Sequence, residues 1–181
     1  MIVSIGLIEL TAIARGVETA DAMLKAGEVR LVFARPVCPG KFIILIHGDV
    51  GAVKAAVAAG LTTGAEKVVN HLIIPRVHPD LLSAMNGSVA PGPVEALGVV
   101  EYFDITSAVV AADAAAKASR VRLFEIRLGL GIGGKSFFKL SGEVADVKAA
   151  VAAAQGSATG GQVVSSCVIP APDPALFKEM V

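Results

Sequence analysis

The sequence predicts an α+β fold written twice in tandem, each copy a βαββαβ unit with its helices on one face of a mainly antiparallel sheet. The 181 residues repeat themselves almost end to end. Gly6-Leu7-Ile8-Glu9 returns as Gly98-Val99-Val100-Glu101, and Asp21-Ala22-Met23-Leu24-Lys25-Ala26 as Asp113-Ala114-Ala115-Ala116-Lys117-Ala118. Lys54-Ala55-Ala56-Val57-Ala58-Ala59 likewise returns as Lys148-Ala149-Ala150-Val151-Ala152-Ala153, so a duplicated domain is the primary reading. Within each copy, short apolar runs alternate with Ala-rich segments, as strands alternate with helices.

In order, the first copy reads as a strand from Ile2 to Leu10 and a helix from about Ala14 to Ala26. Strands over Val29 to Ala34 and Lys41 to His47 follow, then a helix from Val50 to Gly60 and a strand from Lys67 to Ile74. Pro79 opens a short closing helix, at the helical position where its missing N–H costs nothing. Ile74-Pro75 with Pro79, Leu81 and Met85 is answered by Ile169-Pro170 with Pro174, Leu176 and Met180. Between the copies, Ser88-Val89-Ala90-Pro91-Gly92-Pro93 loses two backbone donors to proline and reads as a connector. The predicted organisation is a first domain over 1–88, a linker over 89–95 and a second domain over 96–181.

Composition narrows the function. Sixteen basic and sixteen acidic side chains cancel, which argues against a nucleic-acid surface and leaves little repulsion between copies. Hydrophobic residues reach 54% with only 4% aromatic, so the core is packed from Ala, Val, Ile and Leu. Apolar runs such as Phe42 to Ile46 fall short of the roughly 20 residues of a membrane span. The first residues carry no basic segment and meet Glu9 early, so no export signal is expected. With two cysteines and no disulfide framework, the expected location is a reducing cytoplasm.

Gly48-Asp49-Val50-Gly51-Ala52-Val53-Lys54-Ala55-Ala56, Ile74-Pro75-Arg76-Val77-His78 and the Asp21 to Ala26 helix resemble the bacterial microcompartment (BMC) shell domain. Two copies in one chain, with Val37-Cys38-Pro39-Gly40-Lys41-Phe42 in the first, resemble the tandem-domain T-type shell proteins of propanediol-utilisation compartments. The resemblance covers nearly the whole chain. It implies ferredoxin-like domains, a homotrimer forming a flat pseudo-hexameric tile in the compartment shell, and partners among other shell proteins. It also implies pore loops around a central axis and a structural rather than enzymatic role. Lys25, Arg76 and Lys117 are then tile-edge residues. At Arg76 the second copy departs from the pattern, since its duplicate is Ala171, and His78 is answered by Asp173.

Gly129-Leu130-Gly131-Ile132-Gly133-Gly134-Lys135-Ser136 fits the phosphate-loop pattern G-x-x-x-x-G-K-[ST]. That loop works by opening a helix whose N–H groups face the anion, whereas Phe137-Phe138-Lys139-Leu140 reads as a strand. Gly134-Lys135 also aligns with Gly40-Lys41, a hairpin turn. The segment is therefore read as a glycine-rich hairpin loop, and a nucleotide-binding regulator of ferredoxin-like fold stands as the weaker alternative. By the resemblance, the pore loops are Val37, Cys38, Pro39 and Gly40 in the first copy and Gly131, Ile132, Gly133 and Gly134 in the second.

Iron–sulfur proteins usually gather several cysteines at short spacing in one chain, and this chain has no such run. One cysteine builds a soft-metal site only where symmetry gathers several copies; otherwise Cys38 is a small apolar filler or an unliganded loop thiol. The resemblance implies the former: Cys38 of three chains holds one [4Fe–4S] cluster on the axis, for electron transfer across the shell and with a redox protein as a possible partner. A metal-free tile with a metabolite pore is the alternative. Cys167 aligns with Leu72 and is expected to be core filler. His47, His71 and His78 lack metal-ligand spacing, and His78 is expected to cap a helix or join subunits. Glu9 and Glu101 occupy equivalent strand positions with no partner legible in the sequence.

Overall fold

The computed structural model describes residues 4–87, 89–92, 94–157 and 162–179. The first half runs β1 (Ser4–Leu10), α1 (Ile13–Ala26), β2 (Val29–Val37), β3 (Lys41–Gly48), α2 (Val50–Gly64), β4 (Val68–Ile74) and α3 (Pro79–Met85). The second half repeats the order as β5 (Ala96–Tyr102), α4 (Ile105–Ala118), β6 (Arg122–Leu128), β7 (Ser136–Gly142), α5 (Val144–Ser157), β8 (Val163–Pro170) and α6 (Pro174–Glu179). Every predicted element is present. Helix α2 runs on to Gly64 and β2 to Val37, while Ile2 and Val3 of the predicted first strand lie outside the described residues.

Each half builds a four-stranded sheet, ordered β2-β3-β1-β4 and β6-β7-β5-β8, with every neighbouring pair antiparallel. Because side chains alternate along a strand, Ile8 and Leu10 of β1 join Phe42, Ile44 and Ile46 of β3 on the helix-bearing face. There they pack with Ala20 and Met23 of α1 and Val53, Ala56 and Val57 of α2. The small residues matter for this approach. A Cβ on Gly6 would lie 2.6 Å from Val57 Cγ2 of α2, and one on its duplicate Gly98 would lie 3.0 Å from Val147 Cγ1 of α5, so glycine lets the helix sit close on the central strand in both copies.

The second core uses aromatics where the first uses aliphatics. Tyr102 and Phe138 stand at the positions of Leu10 and Ile44 and stack at 6.4 Å between ring centroids. Tyr102 is fully buried, and its hydroxyl donates to the Ala154 carbonyl at 2.9 Å. Burial, assisted by the nearby Asp104 carboxylate, pushes its phenol up to about 12.

The chain divides into two compact units, Met1–Val77 and His78–Val181. The repeat places α3 at the end of the first copy, but α3 packs against β6 of the second unit. His78 caps α3 by accepting the Asp80 N–H at its Nδ1. Its own N–H donates to Asp113 of α4 at 2.8 Å, and Arg122 of β6 pairs with Asp80 at 3.0 Å. The sequence repeat thus ends later than the packing unit, because the His78 bond to Asp113, the Asp80–Arg122 ion pair and the packing of α3 on β6 all tie this segment forward.

Candidate functional site

Cys38, Pro39 and Gly40 form a three-residue turn joining β2 to β3. The Gly40 N–H closes it onto the Val37 carbonyl at 3.0 Å. Gly40 has φ +88°, a left-handed conformation that a side chain disfavours. Val37 is buried at the root of the turn, and Cys38 is half-buried. In the second copy, Gly131, Ile132, Gly133 and Gly134 belong to the longer turn between β6 and β7, beside an exposed Leu130. This turn leads into strand β7, with the next helix starting at Val144. A phosphate loop needs a helix at that point, so the phosphate-loop spelling has no matching geometry here.

Lys41 and Lys135, the residues immediately after the glycines, have partners that sequence reasoning missed. Lys41 Nζ lies 2.9 Å from Glu9 Oε1, and Lys135 Nζ lies 2.5 Å from Glu101 Oε1. The signal was present: both members of the pair recur in both copies. The register makes the contact intelligible, since Glu9 lies opposite Ile43 and Lys41 stands two residues from Ile43 on the same face of β3.

Cys167 is exposed on the edge strand β8, which overturns its expected role as core filler. Across the strands, the register joins Leu72, Leu7, Leu45 and Phe33 in the first sheet. The same row of the second sheet reads Cys167, Val99, Lys139 and Glu125, with Lys139 Nζ 2.5 Å from Glu125 Oε2. An apolar row has become a polar one, and the apolar character of Leu72 does not carry over to its duplicate.

Lys25 lies in the last turn of α1, paired with Asp21 at 2.6 Å, and both side chains are exposed. Lys117 makes the equivalent pair with Asp113, which is buried and also receives the His78 N–H. Arg76 is exposed in the turn after β4 with φ +51°, and its duplicate Ala171 has φ +45°. The backbone of this corner is kept in both copies although the side chain is not.

Among the described residues, no group of three or more His, Cys, Asp or Glu side chains is gathered as a metal site. His47, His71 and His78 are therefore not brought together. The single half-buried thiol of the Cys38 turn fits a cluster only if other chains supply the remaining thiolates, and one thiol at a turn suits such sharing. Among the described residues, no helix is long and apolar enough to cross a membrane.

The BMC domain family matches the chain twice, over residues 4–77 and 96–172. The bacterial microcompartment shell protein PduT of Citrobacter freundii is 40% identical over 179 residues, which is 98% of this chain and 97% of that one. A crystal structure of a microcompartment protein from Desulfitobacterium hafniense superposes with a TM-score of 0.92 at 50% identity, covering 98% of this chain and 99% of the other. The fused permuted hexameric shell protein MSM0275 of the RMM microcompartment superposes with a TM-score of 0.61 at 27% identity, over 86% and 83% of the two chains. The chain belongs to the BMC-domain family and is a structural shell protein of a bacterial microcompartment, carrying two copies of the domain in tandem.

Proposed function

We propose that three chains close head to tail into a six-domain shell tile, and that Cys38 from the three chains holds one [4Fe–4S] cluster on its axis. One observation carries the assembly. Leu81 of α3 and Leu123 of β6 are both fully buried where these elements pack together, whereas their duplicates, Leu176 of α6 and Leu31 of β2, are 45% and 44% exposed. The same inversion occurs on the helices. Ile105 and Val109 of α4 are fully buried, while the equivalent Ile13 and Val17 of α1 are open. Two surfaces used inside the chain are thus left over at its two ends in complementary form. A head-to-tail contact that repeats closes a ring when its rotation permits, and six domains suit the likeness to the hexameric shell protein of the RMM microcompartment.

The cluster would supply one-electron chemistry, so the tile would pass electrons across the shell or hold redox equivalents. Within that role, Val37 anchors the turn, Gly40 reverses the chain, and Cys38 presents its sulfur. Three thiolates would leave the fourth iron without a protein thiolate. Lys25, Arg76 and Lys117 would contact neighbouring tiles, their aliphatic stems packing laterally. The compartment lies in the cytoplasm, where thiols stay reduced.

Light scattering should report three chains, and Leu176→Asp should reduce the assembly to single chains; a stable wild-type monomer or dimer overturns the ring. Lys25→Ala with Arg76→Ala should abolish sheets in electron micrographs while the trimer persists, and unaltered sheets would overturn the tile-edge role and leave both as ordinary solvated side chains. Colourless protein after anaerobic reconstitution with iron and sulfide leaves a metal-free tile with a metabolite pore.

A further inference from the structure

We propose that the ion pair between Glu9 and Lys41 is the device that positions the Cys38 turn. The last rung between β1 and β3 joins Leu10 to Phe42, so Lys41 and the turn before it project past the end of the central strand. Beyond that rung the hairpin rests on the pairing of Val37 with Lys41 and on the bond from the Gly40 N–H to the Val37 carbonyl. The Lys41 side chain reaches back over the sheet to Glu9, whose side chain is 2% exposed while that of Lys41 is 30% exposed. Burying a carboxylate this fully is costly unless it is paired. The partner cannot drift into solvent without stranding it, and this fixes the first residue after the turn.

The second copy isolates what the pair does. Its turn differs in length and sequence, yet it keeps Lys135 against Glu101. There the turn is likewise held by two backbone restraints, from the Gly129 N–H to the Lys135 carbonyl at 3.0 Å and from the Lys135 N–H to the Ile132 carbonyl at 3.3 Å, so the difference between the copies lies in the pair itself. Glu101 is 29% exposed against 2% for Glu9, so solvent screens this pair more than the first. The tether therefore matters most in the copy that carries the thiol. Its consequence for a shared cluster rests on the reading given under Proposed function; its consequence for the turn does not.

The test uses full-length protein in a Cys167→Ser background, so that Cys38 is the remaining thiol. Its reaction with an aromatic disulfide reagent is followed without metal, and iron is then counted after anaerobic reconstitution. Glu9→Gln combined with Lys41→Met removes both charges and leaves no stranded carboxylate. It should change the Cys38 rate by about tenfold, an effect of the size of one charged hydrogen bond, and should lower iron per trimer below half that of the parent. Glu101→Gln combined with Lys135→Met should leave both readouts unchanged. Lys41→Arg, which keeps the pair, should restore parental behaviour even if the double variant folds poorly. Equal thiol rates in the parent and the Glu9/Lys41 variant overturn the positioning role. A changed rate in protein that never takes up iron supports the positioning role while overturning the cluster.

Discussion

The two copies share element order, sheet order, the glycine under the helix and the Glu–Lys pair at the hairpin root, yet they differ wherever a surface meets something else. The first copy leaves Leu31, Ile13 and Val17 open, while the second buries their counterparts Leu123, Ile105 and Val109. On the face turned away from α1 and α2 the first sheet carries Leu7, Leu45 and Leu72, where the same face of the second carries Val99, Lys139 and Cys167. Cys38 has no counterpart, since Ile132 stands in its place. Duplication has kept what the fold needs and freed each copy's outer surfaces for separate duties. A ring of identical single domains could not place three thiols, rather than six, on its axis.

Substitutions at equivalent positions should widen or close this difference. The largest effect is expected at the closing helices. Leu81→Ala should cost about 2–5 kcal/mol of unfolding free energy, as other buried leucines do. Leu176→Ala should change the unfolding of dilute chains by less than about 0.5 kcal/mol, while raising the protein concentration at which trimers form. Denaturant titration and sedimentation check the two halves. Equal stability losses would mean that α3 and α6 are used alike.

Next comes the core. Tyr102, with its phenol held up to about 12, favours the neutral form in the folded state. Its contribution is complete below the ordinary tyrosine value near 10 and is lost as pH rises through 12, about 3 kcal/mol in all. The first unit has Leu10 at that place and should show no such loss. Unfolding measured at pH 9 and pH 12 should show the drop in wild type and a much smaller one in Tyr102→Phe.

A smaller contrast separates two aspartates at the same helical position. Asp113→Ala removes a buried acceptor of both Lys117 and the His78 N–H and should cost about 1–3 kcal/mol. Asp21→Ala removes half of an exposed pair and should cost about 0.5 kcal/mol or less. Thermal melts of the two variants measure the difference, and matching melts would show that the α4 pair is no better anchored than the α1 pair.

What the sequence made legible follows from the repeat. Gly6-Leu7-Ile8-Glu9 and its echo located the central strands, and the Ala-rich Lys54 to Ala59 segment located the helix above them. Pro79 marked the start of α3. The strand after Lys135 was enough to set aside a phosphate loop whose spelling was complete. Pairing across strands was less legible. Glu9 and Lys41 meet only because β1 and β3 are neighbours; their joint recurrence as Glu101 and Lys135 marks them as a set but does not by itself put them in contact. Cys167 was misjudged because alignment with Leu72 transfers identity along one strand, whereas exposure depends on the row across four. The docking of α3 on β6 was hidden for a related reason, since a repeat defines units by descent and packing defines them by contact.

The central claim is that three chains share one cluster through Cys38, and native mass spectrometry of anaerobically reconstituted protein reads both quantities at once. The account predicts a species of three chains carrying the mass of one [4Fe–4S] cluster, and three chains with no added mass for Cys38→Ser. A wild-type spectrum of bare trimers contradicts the cluster, and one of monomers or dimers contradicts the tile itself.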